Sequence, residues 1–324
     1  MTDVDVPAAA AVISGRLHRT PLLSSETLGR AFGGRAFLKA ELLQKTGSFK
    51  PRGVLTKLAS LSPAERERGV IAASAGNHAA ALAWGCAVEG VDCLVVMWRG
   101  ASATKRAAAL GYGATVDEEA TGPREVFRRL AELQEASGRV IVHPFDDPLV
   151  LSGQGTVGLE ILEDVPEVDV VVVPTGGGGL ISGIASTLPE GRIVAVEPEG
   201  SAALHAALEA GRPVNVDPRS LADGLNAPFA GEHAVEICRA RGVESVLVTE
   251  EEIATGFRFL YERAKLAAEP AGAAGVAALL AGKIEAVEAA TVAVVVSGGN
   301  VAPETASGIL KRNDLPTDED RYPS

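Results

Sequence analysis

Short, nearly continuous apolar runs alternate along the chain with alanine-rich stretches of helical period. The runs occupy residues 69–73, 92–97, 140–142, 168–174, 192–196 and 291–296. They are rich in β-branched residues and flanked by glycine, and several lack the polar alternation of a half-exposed strand. They therefore predict parallel strands covered by helices on both faces. Between them, residues 77–88, 104–110, 123–136 and 271–280 carry helical patterns. Strand, turn and helix repeated in this order predict an α/β fold built on open parallel sheets. A length of 324 residues is about two domains' worth of sequence at roughly 150 residues each. The absence of a low-complexity linker favours one domain inserted in the other. The polar, acidic tail 313–324 reads as a frayed end.

Composition narrows the function class. Acidic residues exceed basic ones by 42 to 30, a net charge of −12. That balance argues against nucleic acid or an anionic membrane surface as a partner, since both call for clustered lysine and arginine. The three cysteines, Cys86, Cys93 and Cys238, are odd in number and lack CxxC spacing, so neither a disulfide framework nor a zinc site is expected. The first sixteen residues carry acids where a secretory signal carries bases. No apolar run approaches the roughly 18 residues that span a bilayer. The expectation is a cytoplasmic protein with a small-molecule partner.

Four glycine-bearing turns stand at strand ends, where open parallel sheets place their ligands. In Pro174-Thr-Gly-Gly-Gly-Gly-Leu-Ile-Ser-Gly183, residues Gly176, Gly177, Gly178 and Gly179 follow an apolar strand and open a helix. Their amides and the helix's positive end suit a phosphate. A glycine run can also be a plain packing turn, but a strand before it and a helix after it favour the anion-binding reading. A dinucleotide reading would use Glu197, about twenty residues on, as the ribose acid; it fails because the glycine frame puts Ser182 where glycine or alanine is needed. In Gln44-Lys-Thr-Gly-Ser-Phe-Lys-Pro-Arg-Gly53, Lys50 lies between Phe49 and Pro51. Most lysines are surface charges; this neighbourhood instead suggests a desolvated amine of lowered pKa, open to Schiff-base chemistry. In Ser74-Ala-Gly-Asn-His78 the Ser74 hydroxyl and the amides can cap the following helix or hold a carboxylate. Ser297-Gly-Gly-Asn300 presents a further hydroxyl after the last apolar strand.

Taken in order, these four turns resemble those of the fold type II pyridoxal-phosphate enzymes, and most closely the serine/threonine dehydratase and serine racemase family. His143-Pro-Phe-Asp-Asp147, Ser152-Gly-Gln-Gly-Thr156 and Glu269-Pro-Ala-Gly272 look like further landmarks, so the likeness covers nearly the whole chain. It implies two open parallel-sheet domains with pyridoxal 5′-phosphate in the cleft between them, and a homodimer. Residues 1–68 and 146–324 would form the large cofactor-binding domain and 69–145 the small substrate-side domain. By this resemblance Lys50 holds the cofactor as a Schiff base and later takes the substrate's α-proton. Gly176 to Gly179 and Leu180 cradle the phosphate, Asn77 bonds the phenolic oxygen, Ser297 meets the pyridine nitrogen, and Phe49 and Glu269 complete the cofactor pocket. Ser74, Ala75, Gly76 and His78 line the site of the substrate carboxylate, with Ser74 counted as catalytic.

The implied reaction is elimination of water from an L-β-hydroxy-α-amino acid, such as threonine, serine, 3-hydroxyaspartate or phenylserine, giving a 2-oxo acid and ammonia. The alternatives are a serine or aspartate racemase and a non-catalytic phosphate-ligand or dinucleotide-binding module. Racemases of the family place a second serine before the turn's glycine. Here that residue is Ala75, which favours dehydration. Metal-activated members pair a glutamate with an aspartate that aligns with Ala203 here, so no metal site is expected and Glu197 reads as a solvated strand-end acid.

Overall fold

The computed structural model describes residues 2–311 apart from 102, 189 and 286–288; the tail 313–324 lies outside the described residues. Among the described residues ten strands follow one another as β1 (Leu22–Ser24), β2 (Arg35–Ala40), β3 (Val70–Ala73), β4 (Cys93–Trp98), β5 (Thr115–Ala120), β6 (Val140–Ile141), β7 (Val170–Pro174), β8 (Arg192–Pro198), β9 (Glu244–Val248) and β10 (Thr291–Val296). They form a six-stranded sheet, ordered β1-β2-β10-β7-β8-β9, and a four-stranded sheet, ordered β5-β4-β3-β6. Every pairing is parallel except β1 with β2.

The unbroken apolar runs have a direct structural cause. On β7, Val170 and Val172 face one core, with the helices Glu250–Phe259 and Pro270–Leu280. Val171 and Val173 face the other, with the helices Pro148–Asp164 and Gly179–Thr187. β8 and β10 divide their side chains in the same way. Both faces are dry, so the regular polar alternation of a half-exposed strand is missing from these runs.

Four strands escape the hydrophobic pattern, for two reasons. β1, β5 and β9 are sheet edges, and β5 reads Thr-Val-Asp-Glu-Glu-Ala, with the charges typical of an edge. β2 is interior but contains Lys39, a residue whose burial only a distant acid can satisfy.

That acid belongs to a charge cluster below the lysine turn. Arg52 and Glu41 have no exposed side-chain surface; the guanidinium donates to both oxygens of Glu41 at 2.8 Å and to Glu160 at 2.7 and 2.9 Å. Lys39, equally buried, donates to Glu160 at 2.5 Å and to the Thr20 carbonyl at 2.7 Å. Two cations and two anions thus balance, and of the four only Glu160 keeps some exposed side-chain surface. The helix Pro51–Ala59, which begins directly after Lys50, crosses the helix Pro148–Asp164 so closely that a Cβ on Gly153 would stand 2.5 Å from the Gly53 Cα. The other side of the Pro51–Ala59 helix reaches the second sheet: Val54, Leu58 and Leu61, together with Val150, pack into its core with Val70, Leu82 and Val95.

Removing one member of a buried ion cluster strands the others. Arg52→Ala leaves the buried Glu41 without a cationic partner, with only the Thr20 hydroxyl still donating to it, and is expected to lower unfolding stability by about 3–5 kcal/mol, read as a drop in urea midpoint. An unchanged midpoint would show that water reaches the cluster.

Candidate active site

The lysine turn is tightly held. Thr46 sits at φ +60°, a costly conformation for a β-branched residue. The turn is laced to the residues after β10: Ser48 and Gly298 form an antiparallel bridge, the Phe49 amide donates to the Ser297 carbonyl at 3.2 Å, and the Gly299 amide donates to Gly47 at 2.9 Å. Lys50 then projects its amine 4.9 Å from the centre of the Phe49 ring and donates to the Pro144 carbonyl at 2.8 Å. Burial pushes this amine down to about 8, although the Glu269 carboxyl acts to raise it.

The 74–78 turn differs from its expected use in one respect. The Ser74 hydroxyl does not cap the helix Asn77–Glu89; it accepts the Gly76 amide at 3.2 Å, and among the described residues no side chain caps that helix. A two-residue turn satisfies Ser74 locally and leaves the helix's first amides open. A Cβ on Gly76 would meet nothing within 4 Å, so the turn faces free space. The His78 ring is buried and its Nε2 lies 2.9 Å from the Val142 carbonyl. Because a carbonyl only accepts, the proton belongs on Nε2, and Nδ1 is a buried acceptor without a partner among the described residues. Burial, with Lys50 nearby, lowers the imidazole to about 3, so it is neutral and leaves the backbone amide as His78's means of meeting a carboxylate.

Asn77 links two further turns. Its Nδ2 donates to Glu269 Oε1 at 2.6 Å and its Oδ1 accepts from Asn300 Nδ2 at 2.9 Å. Glu269 is buried, with Oε2 unpartnered among the described residues, and burial reinforced by Asp223 lifts it to about 7. Asp223 itself is paired with Lys105, from the helix Ala103–Gly111 beside the four-stranded sheet.

The glycine run closes the ring of turns. Gly178 takes φ +90°, and the helix Gly179–Thr187 begins there without a side-chain cap. The other glycines are required by close approach: a Cβ on Gly177 would lie 2.4 Å from the Phe145 ring, and one on Gly176 would lie 2.9 Å from the Leu225 carbonyl. Leu180 sends its side chain into the core, which leaves only its backbone for a ligand. Phe145 in turn packs edge-on against His143 at 4.7 Å and Phe229 at 5.5 Å. Pro144 bonds the Lys50 amine and Phe145 covers Gly177, so two adjacent residues join the lysine turn to the glycine run.

Glu197 does not behave as a solvated acid. It is fully buried and accepts the amides of Leu204 and His205 at 2.8 and 2.7 Å, where it caps the helix Ala203–Ala210. Burial raises it to about 8. The helix start supplies the donors that solvent would otherwise provide.

Comparison with known proteins places this geometry. Residues 13–298 match the family described as pyridoxal-phosphate dependent enzymes. The chain is 45% identical over 313 residues to an L-threonine ammonia-lyase of Thermotoga maritima, covering 95% of this chain and 78% of that one. Its fold is like that of the T.th. threonine deaminase, with a TM-score of 0.85, 39% identity and coverage of 92% and 98% of the two chains. It is also like maize serine racemase, with a TM-score of 0.89, 35% identity and coverage of 94% and 96%. The chain belongs to the pyridoxal-phosphate dependent enzyme family. Within it, the chain is a pyridoxal-phosphate-dependent ammonia-lyase of the fold type II serine/threonine dehydratase group.

The residues present fit that cofactor. An uncapped helix N-terminus follows a glycine run, as a phosphate needs. A buried amine of lowered pKa is at hand for an aldehyde. Around it Thr46 Oγ1, Ser48 Oγ and Glu269 Oε2 are buried without partners among the described residues, a cost a polar ligand can relieve. Sequence reasoning missed Phe145, Asn300 and Asp223. The first two stand inside motifs it quoted, but their roles arise from contacts across 32 and 223 positions of chain.

Because burial favours the uncharged amine, the reactive form of Lys50 is half populated near pH 8, well below the 10.5 of an ordinary lysine. Cofactor-free protein treated with an acylating reagent should therefore label at Lys50 along a curve centred near pH 8, read by mass spectrometry. A midpoint near 10.5 would show the amine to be solvated.

Proposed function

We propose that this enzyme dehydrates and deaminates L-threonine and L-serine, releasing the 2-oxo acid and ammonia. The observation that carries the reading is Lys50, a buried amine held at its titration point beside an apolar ring. Bound pyridoxal phosphate supplies an aldehyde carbon for the substrate's amine and an electron sink for its Cα electrons. Lys50, whose uncharged form reaches half near pH 8, takes the Cα proton. The open amides at the start of the Asn77–Glu89 helix and the Ser74 hydroxyl bind the substrate carboxylate. Gly176 to Gly179 and Leu180 hold the phosphate through their amides. Asn77 meets the phenolic oxygen, Ser297 the pyridine nitrogen, and Phe49 keeps water from the reacting centre. The Ser297 hydroxyl is neutral and leaves the ring nitrogen without a counter-charge, which favours loss of a β-substituent over a long-lived carbanion. Water lost from the β-carbon is matched by water used in hydrolysis, so the net products are 2-oxo acid and ammonia.

The division into a large unit, 1–68 and 146–324, and a small unit, 69–145, is proposed on the same grounds, with the cofactor in the cleft between them. The two separate sheets support it. A homodimer is proposed from the family resemblance, and a cytoplasmic location from three buried free cysteines and the acidic composition. Among the described residues no helix is long and apolar enough to cross a membrane.

Likeness to maize serine racemase supports a second reading, racemisation. Against it, Ala75 offers no acid in the turn that carries one in racemases. Purified enzyme should release 2-oxo acid from L-threonine and L-serine with little D-serine by chiral chromatography, and Ala75→Ser should raise the D-serine fraction. Abundant D-serine from the unaltered enzyme would replace lyase by racemase as the main activity. Lys50→Ala should abolish turnover while leaving the fold intact by circular dichroism.

Glu197 already accepts two helix amides, and the position that pairs with it in metal-activated members is Ala203. Turnover is therefore expected to be unaffected by EDTA. Loss on chelation, restored by Mg²⁺, would refute this.

A further inference from the structure

One backbone carbonyl sets the direction of a hydrogen-bond chain that ends at the cofactor pocket. The Thr46 carbonyl can only accept, so the Asn300 amide must turn its NH₂ toward it, and does so at 2.8 Å. The second hydrogen on the same nitrogen reaches Asn77 at 2.9 Å, which obliges Asn77 to present its oxygen there. The Asn77 NH₂ then points the other way, toward the Glu269 carboxylate at 2.6 Å. One N–H of Asn77 has no partner among the described residues, and it can serve only an acceptor.

Packing holds the chain in place from both ends. A Cβ on Gly47 would lie 2.5 Å from Asn300 Oδ1, and one on Gly298 would lie 2.3 Å from Glu269 Oε1 and 3.1 Å from Asn77 Nδ2. Both glycines are thus shaped around the three side chains. The Thr46 carbonyl that starts the chain is a fixed backbone acceptor, in the residue at φ +60° within the lysine turn.

We propose that Asn300 is a positioning residue: it fixes the amide of Asn77 so that its donor, not its acceptor, faces the phenolic oxygen of pyridoxal phosphate. Resting on the reading that places Asn77 at that oxygen, the inference assigns to Asn300 an orienting role and no contact with the cofactor. Without Asn300 the Asn77 amide is held by Glu269 alone, and once that carboxyl carries a proton the amide can turn over and set its oxygen against an oxygen of the ligand.

The test titrates cofactor-free protein with pyridoxal phosphate and follows both binding and the pH dependence of the visible band. It compares the unaltered chain with Asn77→Ala, Asn300→Ala, Asn300→Asp and the double alanine variant, with melting temperature measured for each. Asn300→Ala should bind the cofactor about tenfold more weakly, the worth of one oriented hydrogen bond, and shift the band's pH dependence in the direction Asn77→Ala does. Asn300→Asp, which sets a second acceptor against the Thr46 carbonyl, should be at least as impaired. The double variant should bind no more weakly than Asn77→Ala alone, because a residue that acts through Asn77 has nothing left to orient. Unaltered binding and spectrum in Asn300→Ala, with Asn77→Ala impaired, would overturn the positioning role. So would losses that add in the double variant, the mark of a structural role alone. If Asn77→Ala itself binds and absorbs as the unaltered protein does, the placement of Asn77 fails, and the inference falls with it.

Discussion

A guanidinium sealed from water carries the reactive turn. Arg52 lies two residues after Lys50, in the first turn of the helix that Lys50 precedes, and its charge is met by Glu41, directly after β2, and by Glu160 from the helix Pro148–Asp164. Burial of these charges is expensive and is offset only when each donor finds its acceptor. The position of the helix start, and so of the Lys50 amine, is dictated by three elements at once. An apolar cluster of equal volume could be more stable, but it would not specify direction in the way a planar fork between two carboxylates does.

The functional turns depend on this anchor and on one another. The lysine turn is bridged to the residues after β10, those residues abut Glu269, and Glu269 accepts from Asn77 at the start of the helix beside the four-stranded sheet. Pro144 and Phe145 connect Lys50 with the glycine run. Three of the turns directly follow β3, β7 and β10, the lysine turn follows β2 through two short 3-10 turns, and within each parallel sheet the strand ends lie on one side. The unpaired atoms Thr46 Oγ1, Ser48 Oγ and Glu269 Oε2 collect in this region, so the unmet polar groups of the site lie where a ligand can pair them.

The titratable groups follow from the same enclosure. Low dielectric surroundings lower Lys50 and His78 and raise Glu269, in each case toward the neutral form. An amine near 8 and a carboxyl near 7 are both able to exchange protons in the physiological range, whereas His78 is not. His78, although it lies in the 74–78 turn, is thereby a neutral packing residue in its side chain.

Local sequence was enough for the α/β class, the six apolar strands and the four turns, because each rests on neighbours a few positions apart: an apolar run, a glycine pair, a lysine between an aromatic and a proline. Lys50 stood out among the chain's lysines for the same reason. The edge strands β1, β5 and β9 were not legible: β1 has only three residues, too few to show a period, and solvent allows β5 and β9 polar side chains that disguise it. Lys39 and Glu197 were misread or passed over, since a charged residue is buried only when a remote partner meets it, and no local pattern records Glu160 or the amides of the Ala203–Ala210 helix. Nor could spacing show that Gly177 is glycine because of Phe145, or that Asn77 is oriented from Thr46 through Asn300. Those facts belong to the folded molecule, because they are set by distances between residues that only folding brings together.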